Sequence, residues 1–262
     1  MSKLSVPAIE IELLGVLSRK KVSLRFFDPG KKGIFFELSD GDQIRATTDH
    51  LISASRNSVL GNGKSSICFV EHLLASISLL GINQIAVEVF GEEIPLEDGS
   101  GLIWYELLKD WKGRSSKILS EIDLPQPLSL SNDRNQALYA LPSDHFQITY
   151  LFQSPIDGSQ TWTSWRLGDD PLGLISARTF APSLENELIG VKGKVLSYDS
   201  EGFDLPLRFT DEPARHKILD LVGDLTLAGI NPLNLKAHFI SYKAGHNLNT
   251  SMAKMIREIL KS

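Results

Sequence analysis

Short segments rich in strand-forming residues occur in both halves of the chain, and apolar and polar residues alternate cleanly along residues 83–90. A period of two is typical of strands that bury one face. The predicted strands span residues 20–27, 33–38, 83–90, 136–141, 146–152 and 236–242. Both halves of the chain are therefore expected to contain a sheet.

A helical pattern of apolar residues occurs twice. LLASISLLGIN begins at Leu73 and LVGDLTLAGIN begins at Leu221, so the two segments are offset by 148 residues. Each pattern ends in a glycine, Gly81 or Gly229, and a glycine just after the last periodic residue commonly ends a helix. A repeat of this kind indicates two similar half-molecules.

The repeat and the strands together predict an α+β fold that arose by internal duplication. Each half would form a two-layer α/β sandwich, in which helices back a mostly antiparallel sheet. We place the first domain at residues 1–115 and the second at 125–262, with the polar segment 111–124 as the linker. Since pockets commonly form between packed units, we expect the active site at the interface of the two domains.

The composition is that of a folded protein in a reducing compartment. Among the 262 residues, 42% are hydrophobic and 23% are charged, which is sufficient for a substantial core. The formal net charge of −5 argues against a nucleic acid partner, because nucleic-acid-binding proteins concentrate Lys and Arg on one face. Cys68 is the only cysteine, so no intramolecular disulfide can form, and its apolar neighbours favour a core position.

Neither a signal peptide nor a membrane span is predicted. Residues 1–15 contain no continuous apolar stretch of the kind that a signal peptide needs, and no other window is long enough to cross a bilayer. We therefore expect a cytoplasmic protein, and we expect it to be a monomer.

Candidate metal ligands occur at helical spacing in the second half. His216 and Asp220 are four residues apart, so both side chains lie on one face of a helix. Such a pair either stabilises the helix or binds a metal ion. His72 lies 148 residues before Asp220, at the equivalent position of the repeat, and would complete a three-ligand site. Three protein ligands leave an open coordination position, which is typical of catalytic zinc.

Two further ionisable residues are candidates for proton transfer. Glu71 precedes His72 at the start of a predicted helix, where it either complements the helix dipole or acts as a general base beside the metal. His246 follows a predicted strand in the segment AGHN, and such loops commonly carry functional residues. By itself, this position also fits a solvent-exposed histidine.

Five linked segments carry a family resemblance. They read VEHLLAS (70–76), IPLEDGS (94–100), SARTF (176–180), RHKILDLVGDL (215–225) and GHNLN (245–249). In order and approximate spacing they resemble the UDP-3-O-acyl-N-acetylglucosamine deacetylases, which are zinc-dependent enzymes of lipid A biosynthesis. The resemblance extends from about residue 13 to the C-terminus, so it covers nearly the whole chain.

The resemblance implies a zinc site and a general base. The family's ligands match His72, His216 and Asp220. Nitrogen and carboxylate ligands also admit iron(II). Glu71 matches the base that takes a proton from the attacking water.

The resemblance also implies an acid and several substrate contacts. His246 matches the general acid, and Asp224 matches the carboxylate that orients it. Thr179 matches the hydroxyl that helps to hold the carbonyl oxygen. Phe180 and Lys217 match positions that contact the acylated UDP-sugar substrate.

The activity implied is hydrolysis of the N-acetyl group of an acylated UDP-N-acetylglucosamine, with release of acetate. One alternative is a zinc deacetylase that acts on another N-acetylated nucleotide sugar. A second alternative is a non-catalytic paralogue that binds an acylated sugar nucleotide. The presence of Glu71 favours an enzyme, because binding alone does not require a base.

Two segments depart from the family pattern. GVLSRK, at residues 15–20, lacks the histidine and the extra glycines of the family's N-terminal turn. The segment 180–207, which in the family includes the apolar passage for the acyl chain, is short and has a polar middle. We therefore expect only weak selectivity for acyl-chain length.

Overall fold

The protein is an α+β protein in which two sheets enclose buried helices. The structure, a computed structural model, describes residues 8–261 except 112–117, 119–120, 189 and 192. Most of the predicted linker at 111–124 and the predicted domain end at residue 115 therefore lie outside the described residues. Within the described part of the chain, no helix is long and apolar enough to cross a membrane.

The first half of the chain forms a five-stranded sheet, a small three-stranded sheet and two helices. Its elements are β1 (Ile9–Leu14), β2 (Lys21–Phe27), β3 (Gly33–Glu37), β4 (Gln43–Arg45), a 3-10 turn (Thr48–His50), β5 (Leu51–Ser53), β6 (Val59–Gly61), β7 (Ser66–Ile67), α1 (Glu71–Leu79), β8 (Gln84–Phe90) and α2 (Leu102–Leu108).

The second half forms a larger sheet, a second small sheet and four helices. Its elements are β9 (Ile122–Asp123), β10 (Leu128–Asn132), β11 (Gln136–Pro142), β12 (Gln147–Gln153), β13 (Gln160–Arg166), α3 (Leu172–Ile175), β14 (Phe180–Pro182), α4 (Ser183–Leu188), β15 (Leu196–Asp199), β16 (Gly202–Phe203), α5 (Glu212–Leu225), two 3-10 turns (Thr226–Ala228 and Pro232–Asn234), β17 (Leu235–Tyr242) and α6 (His246–Ile259). The six predicted strands are confirmed, with each end within one residue, as β2, β3, β8, β11, β12 and β17.

The two large sheets share one order of strands. The first sheet has the order β1-β2-β8-β3-β4, and the main path of the second has the order β10-β11-β17-β12-β13. The central strand of each sheet is its last strand in sequence. In the first sheet, β8 is antiparallel to β2 and parallel to β3. In the second sheet, β17 is antiparallel to β11 and parallel to β12. The small sheets have the orders β5-β6-β7 and β14-β15-β16.

Helices α1 and α5 lie against each other in the interior. All nine residues of α1 are buried, so this helix is covered on every side. At Gly223 on α5, an added Cβ atom would lie 2.1 Å from the carbonyl oxygen of Glu71, which shows how closely the two backbones approach. Gly81 and Gly229 have φ values of +68° and +84°, so both predicted helix ends are confirmed as left-handed positions.

One continuous apolar core joins the two sheets and the central helices. Its largest fully buried aromatic side chains are Phe26, Phe36, Trp104, Phe146 and Phe239. A separate, smaller cluster consists of Val16, Leu96, Val191 and Val195, with Phe69 packed against it.

Cys68 is less buried than the sequence suggests. Its side chain is only partly buried, and its thiol lies 3.4 Å from the carbonyl oxygen of Glu92. Burial, followed by the charge of Glu93, raises the pKa of the thiol to about 12. The thiol therefore stays protonated and unreactive near neutral pH.

Candidate active site

Seven of the nine predicted site residues line one cavity of about 360 Å³. These residues come from α1, α5, α6 and the segment that enters β14, and they are Glu71, His72, Thr179, Phe180, Lys217, Asp220 and His246. The other two, His216 and Asp224, are buried on α5 and contact members of this group. The fold thus brings all nine residues together.

Helical spacing places three of these side chains on one face. His216, Asp220 and Asp224 follow one another at intervals of four on α5, so they share a face that is buried against the rest of the site. Glu71 and His72 are the first two residues of α1, where the helix dipole favours a carboxylate.

His72, His216 and Asp220 form a buried cluster of possible metal ligands. Nε2 of each histidine lies 3.2 Å from Oδ1 of Asp220, and the ligand atoms of the three residues lie within 4.8 Å of one another. The three side chains are between 1% and 5% exposed. His72 and Asp220 are the pair that the repeat marks as equivalent, so residues 148 apart in sequence are in contact here.

The hydrogen bonds around the cluster fit a bound cation. Nδ1 of His216 lies 3.1 Å from the carbonyl oxygen of Ala177, and because a carbonyl oxygen only accepts, the proton is on Nδ1. Burial lowers the pKa of His216, which favours the neutral ring. The lone pair on Nε2 of His216 then faces a lone pair on Oδ1 of Asp220. Two facing lone pairs repel each other, and a divalent cation bound between them would remove this repulsion. A backbone carbonyl on the second nitrogen is a common partner of a metal-ligating histidine.

Glu71 is a buried carboxylate beside this cluster. Its side chain is 3% exposed, and Oε2 accepts a hydrogen bond of 3.0 Å from the backbone amide of Ser58. Burial raises the pKa of Glu71 to about 7, although the nearby charge of His246 opposes the rise. A carboxylate with such a pKa accepts and returns a proton readily near neutral pH.

His246 and Asp224 form a buried hydrogen-bonded pair on the other side of Asp220. Nδ1 of His246 lies 2.8 Å from Oδ2 of Asp224, and Nε2 lies 3.8 Å from Oδ2 of Asp220. Burial alone would lower the pKa of His246, but the charges of Asp224 and Asp220 outweigh it and raise the pKa to about 9. The imidazolium is therefore the favoured form, and its Nε2 proton is available at the cavity.

Thr179, Phe180 and Lys217 also line the cavity. The backbone amide of Thr179 donates to the carbonyl oxygen of Gly99 at 2.8 Å, and an added Cβ atom at residue 99 would lie 2.4 Å from Cγ2 of Thr179. Nζ of Lys217 lies 5.2 Å from the centre of the Phe180 ring and 2.8 Å from Oδ2 of Asp220. Lys217 therefore contacts both a cavity wall and a candidate metal ligand.

The N-terminal turn that departs from the family pattern still reaches the cavity. The carboxylate of Glu93 accepts hydrogen bonds of 2.8–2.9 Å from the backbone amides of Val16, Leu17 and Ser18. The turn held in this way places Leu17 in the cavity wall.

The short segment 180–207 supplies part of an apolar wall. Val191 and Val195 are buried with Val16 and Leu96 in the smaller apolar cluster, and Leu96 and Val195 line the cavity. Leu184, in contrast, is 70% exposed. Ile189, in the same segment, lies outside the described residues.

Three residues that carry no predicted role also belong to the site. Ser58 contacts Glu71, as described above, and Nδ2 of Asn249 lies 3.0 Å from Oδ2 of Asp224. Asn57 lines the cavity, and its buried Oδ1 atom has no hydrogen-bond partner among the described residues. Asn249 lies three residues after His246 on α6, so helical spacing could have indicated it. No such signal marks the loop residues 57 and 58.

A buried cluster of two histidines and one carboxylate, open to a cavity that also holds a carboxylate and a histidine, is the arrangement of a metal-dependent hydrolase. The sequence profile of the family described as UDP-3-O-acyl N-acetylglycosamine deacetylase matches residues 6–258. The chain belongs to this family, whose members are metalloenzymes that hydrolyse an amide, and the predicted family resemblance is confirmed.

Individual relatives agree with the family match. A UDP-3-O-acyl-N-acetylglucosamine deacetylase of Nostoc sp. strain PCC 7120 is 32% identical over 87% of this chain and 86% of its own. The enzymes of that name from Leptospira biflexa and Chlamydia abortus are 33% and 34% identical. These matches cover 95% and 89% of this chain and 87% and 89% of the relatives' own lengths.

Proposed function

We propose that the protein hydrolyses the N-acetyl group of a UDP-3-O-(3-hydroxyacyl)-N-acetylglucosamine and releases acetate, the deacetylation step of lipid A biosynthesis. The observation that carries this proposal is the cavity in which a His-His-Asp cluster, a buried carboxylate and a His-Asp pair meet. The names of the relatives supply the substrate class.

The metal site of this proposal consists of His72, His216 and Asp220. Zinc fits two imidazole nitrogens and one carboxylate with an open position, and iron(II) fits the same donors. A bound ion supplies Lewis acidity, which activates water and polarises the acetamide carbonyl. Ala177 orients His216 through its carbonyl oxygen, and Lys217 holds Oδ2 of Asp220, so Oδ1 of Asp220 faces the two histidines.

Glu71 takes the proton of the attacking water in this reaction. The amide of Ser58 holds Oε2 of Glu71, and the residue lines the cavity. Thr179 lines the same cavity, and its hydroxyl donates a hydrogen bond to the oxygen on which negative charge develops. The contact of Thr179 with Gly99 fixes its backbone for this role.

His246 delivers a proton to the glucosamine nitrogen as the C–N bond breaks. Asp224 accepts from Nδ1, which keeps the imidazolium protonated and directs Nε2 towards the cavity. Phe180 and Lys217 contact the sugar nucleotide, and the wall that includes Leu96 and Val195 contacts the start of the acyl chain.

We further propose that residues 1–115 and 125–262 are two domains that arose by internal duplication, with the active site at their interface. The common order of strands in the two sheets supports this proposal. So do contacts between equivalent positions of the repeat, since His72 contacts Asp220 and Oγ of Ser78 lies 2.8 Å from Oγ1 of Thr226. A two-fold axis between α1 and α5 would produce such contacts.

We also propose that the protein works in the cytoplasm as a monomer. Its single cysteine, Cys68, fits a reducing compartment. Size-exclusion chromatography with light scattering would test the oligomeric state, and a mass of about twice the 29.0 kDa of one chain would contradict a monomer.

The function is tested by incubating metal-loaded protein with UDP-3-O-(3-hydroxymyristoyl)-N-acetylglucosamine and with UDP-N-acetylglucosamine. Mass spectrometry should detect acetate and the free amine from the acylated compound. Glu71→Gln should react about 10²–10⁴-fold more slowly. Glu106→Gln serves as the control, because Glu106 is an exposed partner of Lys109 on α2. Acetate from the non-acylated compound alone would indicate another nucleotide sugar, and no acetate from either would contradict the enzyme.

A further inference from the structure

Ser58 contacts two site carboxylates at once. It lies in the loop between β5 and β6 and is fully buried. Its backbone amide donates to Oε2 of Glu71 at 3.0 Å, and its hydroxyl donates to Oδ1 of Asp224 at 2.5 Å. Ser58 therefore links the carboxylate at the start of α1 to a carboxylate on α5.

The hydroxyl of Ser58 completes the hydrogen bonding of Asp224. Oδ2 of Asp224 accepts from Nδ1 of His246 at 2.8 Å and from Nδ2 of Asn249 at 3.0 Å. Oδ1 accepts from Ser58. Asp224 is fully buried, and a buried carboxylate needs partners on both oxygens to stay in one orientation. Without the hydroxyl of Ser58, Oδ1 loses this hydrogen bond, and the carboxylate is oriented by His246 and Asn249 at Oδ2 alone.

We propose that Ser58 is a positioning residue that orients the proton-accepting and proton-donating groups of the site together. This inference rests on the proposed function, in which Glu71 accepts a proton and His246 donates one. Ser58 does not line the cavity, unlike its neighbours Arg56 and Asn57, so it acts through Glu71 and Asp224 and not on substrate. Loss of its hydroxyl should slow the chemical step and leave substrate binding unchanged.

The variant Ser58→Ala isolates the hydroxyl, because the backbone amide that holds Glu71 remains. A matched control is Ser78→Ala. Ser78 is also buried, and its hydroxyl on α1 lies 2.8 Å from that of Thr226, the first residue of the 3-10 turn after α5. Both variants lose one buried hydrogen bond, but only Ser58 contacts the site.

Steady-state kinetics should separate the two variants. Ser58→Ala should lower kcat by about 10- to 100-fold, the range expected for loss of a hydrogen bond to a charged group, with KM within about twofold of the wild type. Ser78→Ala should keep its kcat within about threefold, and Ser58→Thr, which retains a hydroxyl, should recover at least about fivefold over Ser58→Ala. Metal content and thermal unfolding are measured on each variant to show that it is folded and loaded.

Proton NMR gives a readout that does not depend on turnover. The Nδ1 proton of His246 is identified by the loss of its low-field signal in His246→Ala. That signal should shift or broaden in Ser58→Ala and stay in place in Ser78→Ala. An unchanged signal together with a wild-type kcat in Ser58→Ala would overturn the proposal, as would equal losses of kcat in Ser58→Ala and Ser78→Ala. If the wild type releases no acetate, the proposed function fails, and the NMR comparison still decides whether Ser58 orients Asp224 and His246.

Discussion

The close approach of α1 and α5 can be tested with the variant Gly223→Ala. A Cβ atom at residue 223 would lie 2.1 Å from the carbonyl oxygen of Glu71 and 2.7 Å from its carbonyl carbon, whereas such contacts are almost never shorter than 3.0 Å. The obstacle is backbone, so no side-chain rotation removes the clash. The two helices must therefore separate by roughly 1 Å, because a close-packed interior leaves no other space.

The size of the effect follows from two opposing contributions. Overpacking of a buried position costs about 1–3 kcal/mol, while the better helix propensity of alanine contributes up to about 1 kcal/mol in the other direction. We expect a net loss of about 1–2 kcal/mol, which lowers Tm by about 2–8 °C for a chain of this size. Separation of the helices also moves His72 away from Asp220, and a misplacement of about 1 Å costs about 10²-fold in rate.

Urea denaturation and acetate release from the acylated substrate measure these two effects. The control is Gly245→Ala, because a Cβ atom at residue 245 meets nothing within 4 Å and the position lies next to His246. Gly245 is the N-cap of α6, so the control should lose less than about 1 kcal/mol and keep its kcat/KM within a few fold. If Gly223→Ala keeps the stability and the kcat/KM of the wild type, the close contact between Gly223 and the backbone of Glu71 does not position the site residues.

Three further predictions concern the metal, the acyl chain and acid stability. The wild-type protein should contain about one metal ion per chain, measured by plasma mass spectrometry. His72→Ala should lose most of this metal, whereas His145→Ala should keep it. We expect kcat/KM to rise only a few fold when the acyl chain of the substrate is lengthened by two carbons. Burial of two methylenes would give a roughly fifteenfold rise. A rise close to that value would show that the apolar passage for the acyl chain is intact. Burial alone would raise the pKa of Glu212, but hydrogen bonds from Arg178 lower it, so this pair stabilises the fold above the ordinary glutamate pKa and less as the pH falls. The stability deficit of Glu212→Gln at pH 7 should therefore shrink between about pH 5 and pH 3 in urea denaturation, and a constant deficit would contradict the assignment.

The strands and the helix ends could be predicted because their signals are local. The residues of a segment six to eight residues long indicate a strand, and Gly81 and Gly229 mark helix ends through their own backbone preference. The order of strands in a sheet depends on pairings between segments that are distant in sequence. The local sequence pattern therefore predicts where the strands are but not which strands pair. The common order of the two sheets is information that only the fold supplies.

The candidate metal site was predictable for a different reason. Two of its residues, His216 and Asp220, are one helical turn apart, and the repeat relates the third, His72, to Asp220. Ser58 and Gly223 have no comparable signal. Ser58 lies in a loop 166 residues before its partner Asp224, and the role of Gly223 is evident only from the backbone that it faces.

The N-terminal turn differs from the family pattern in sequence and lines the cavity. Residues 15–20 lack the histidine and the extra glycines of the family's turn, so no histidine of this turn can contact the site. The carboxylate of Glu93 accepts from three successive backbone amides of this turn, although it lies 75 to 77 residues away in sequence. These long-range bonds keep the turn at the cavity, and the residue that it presents there is the apolar Leu17. The backbone amides therefore position this turn at the cavity, and the side chain of Leu17 decides what the turn contributes there.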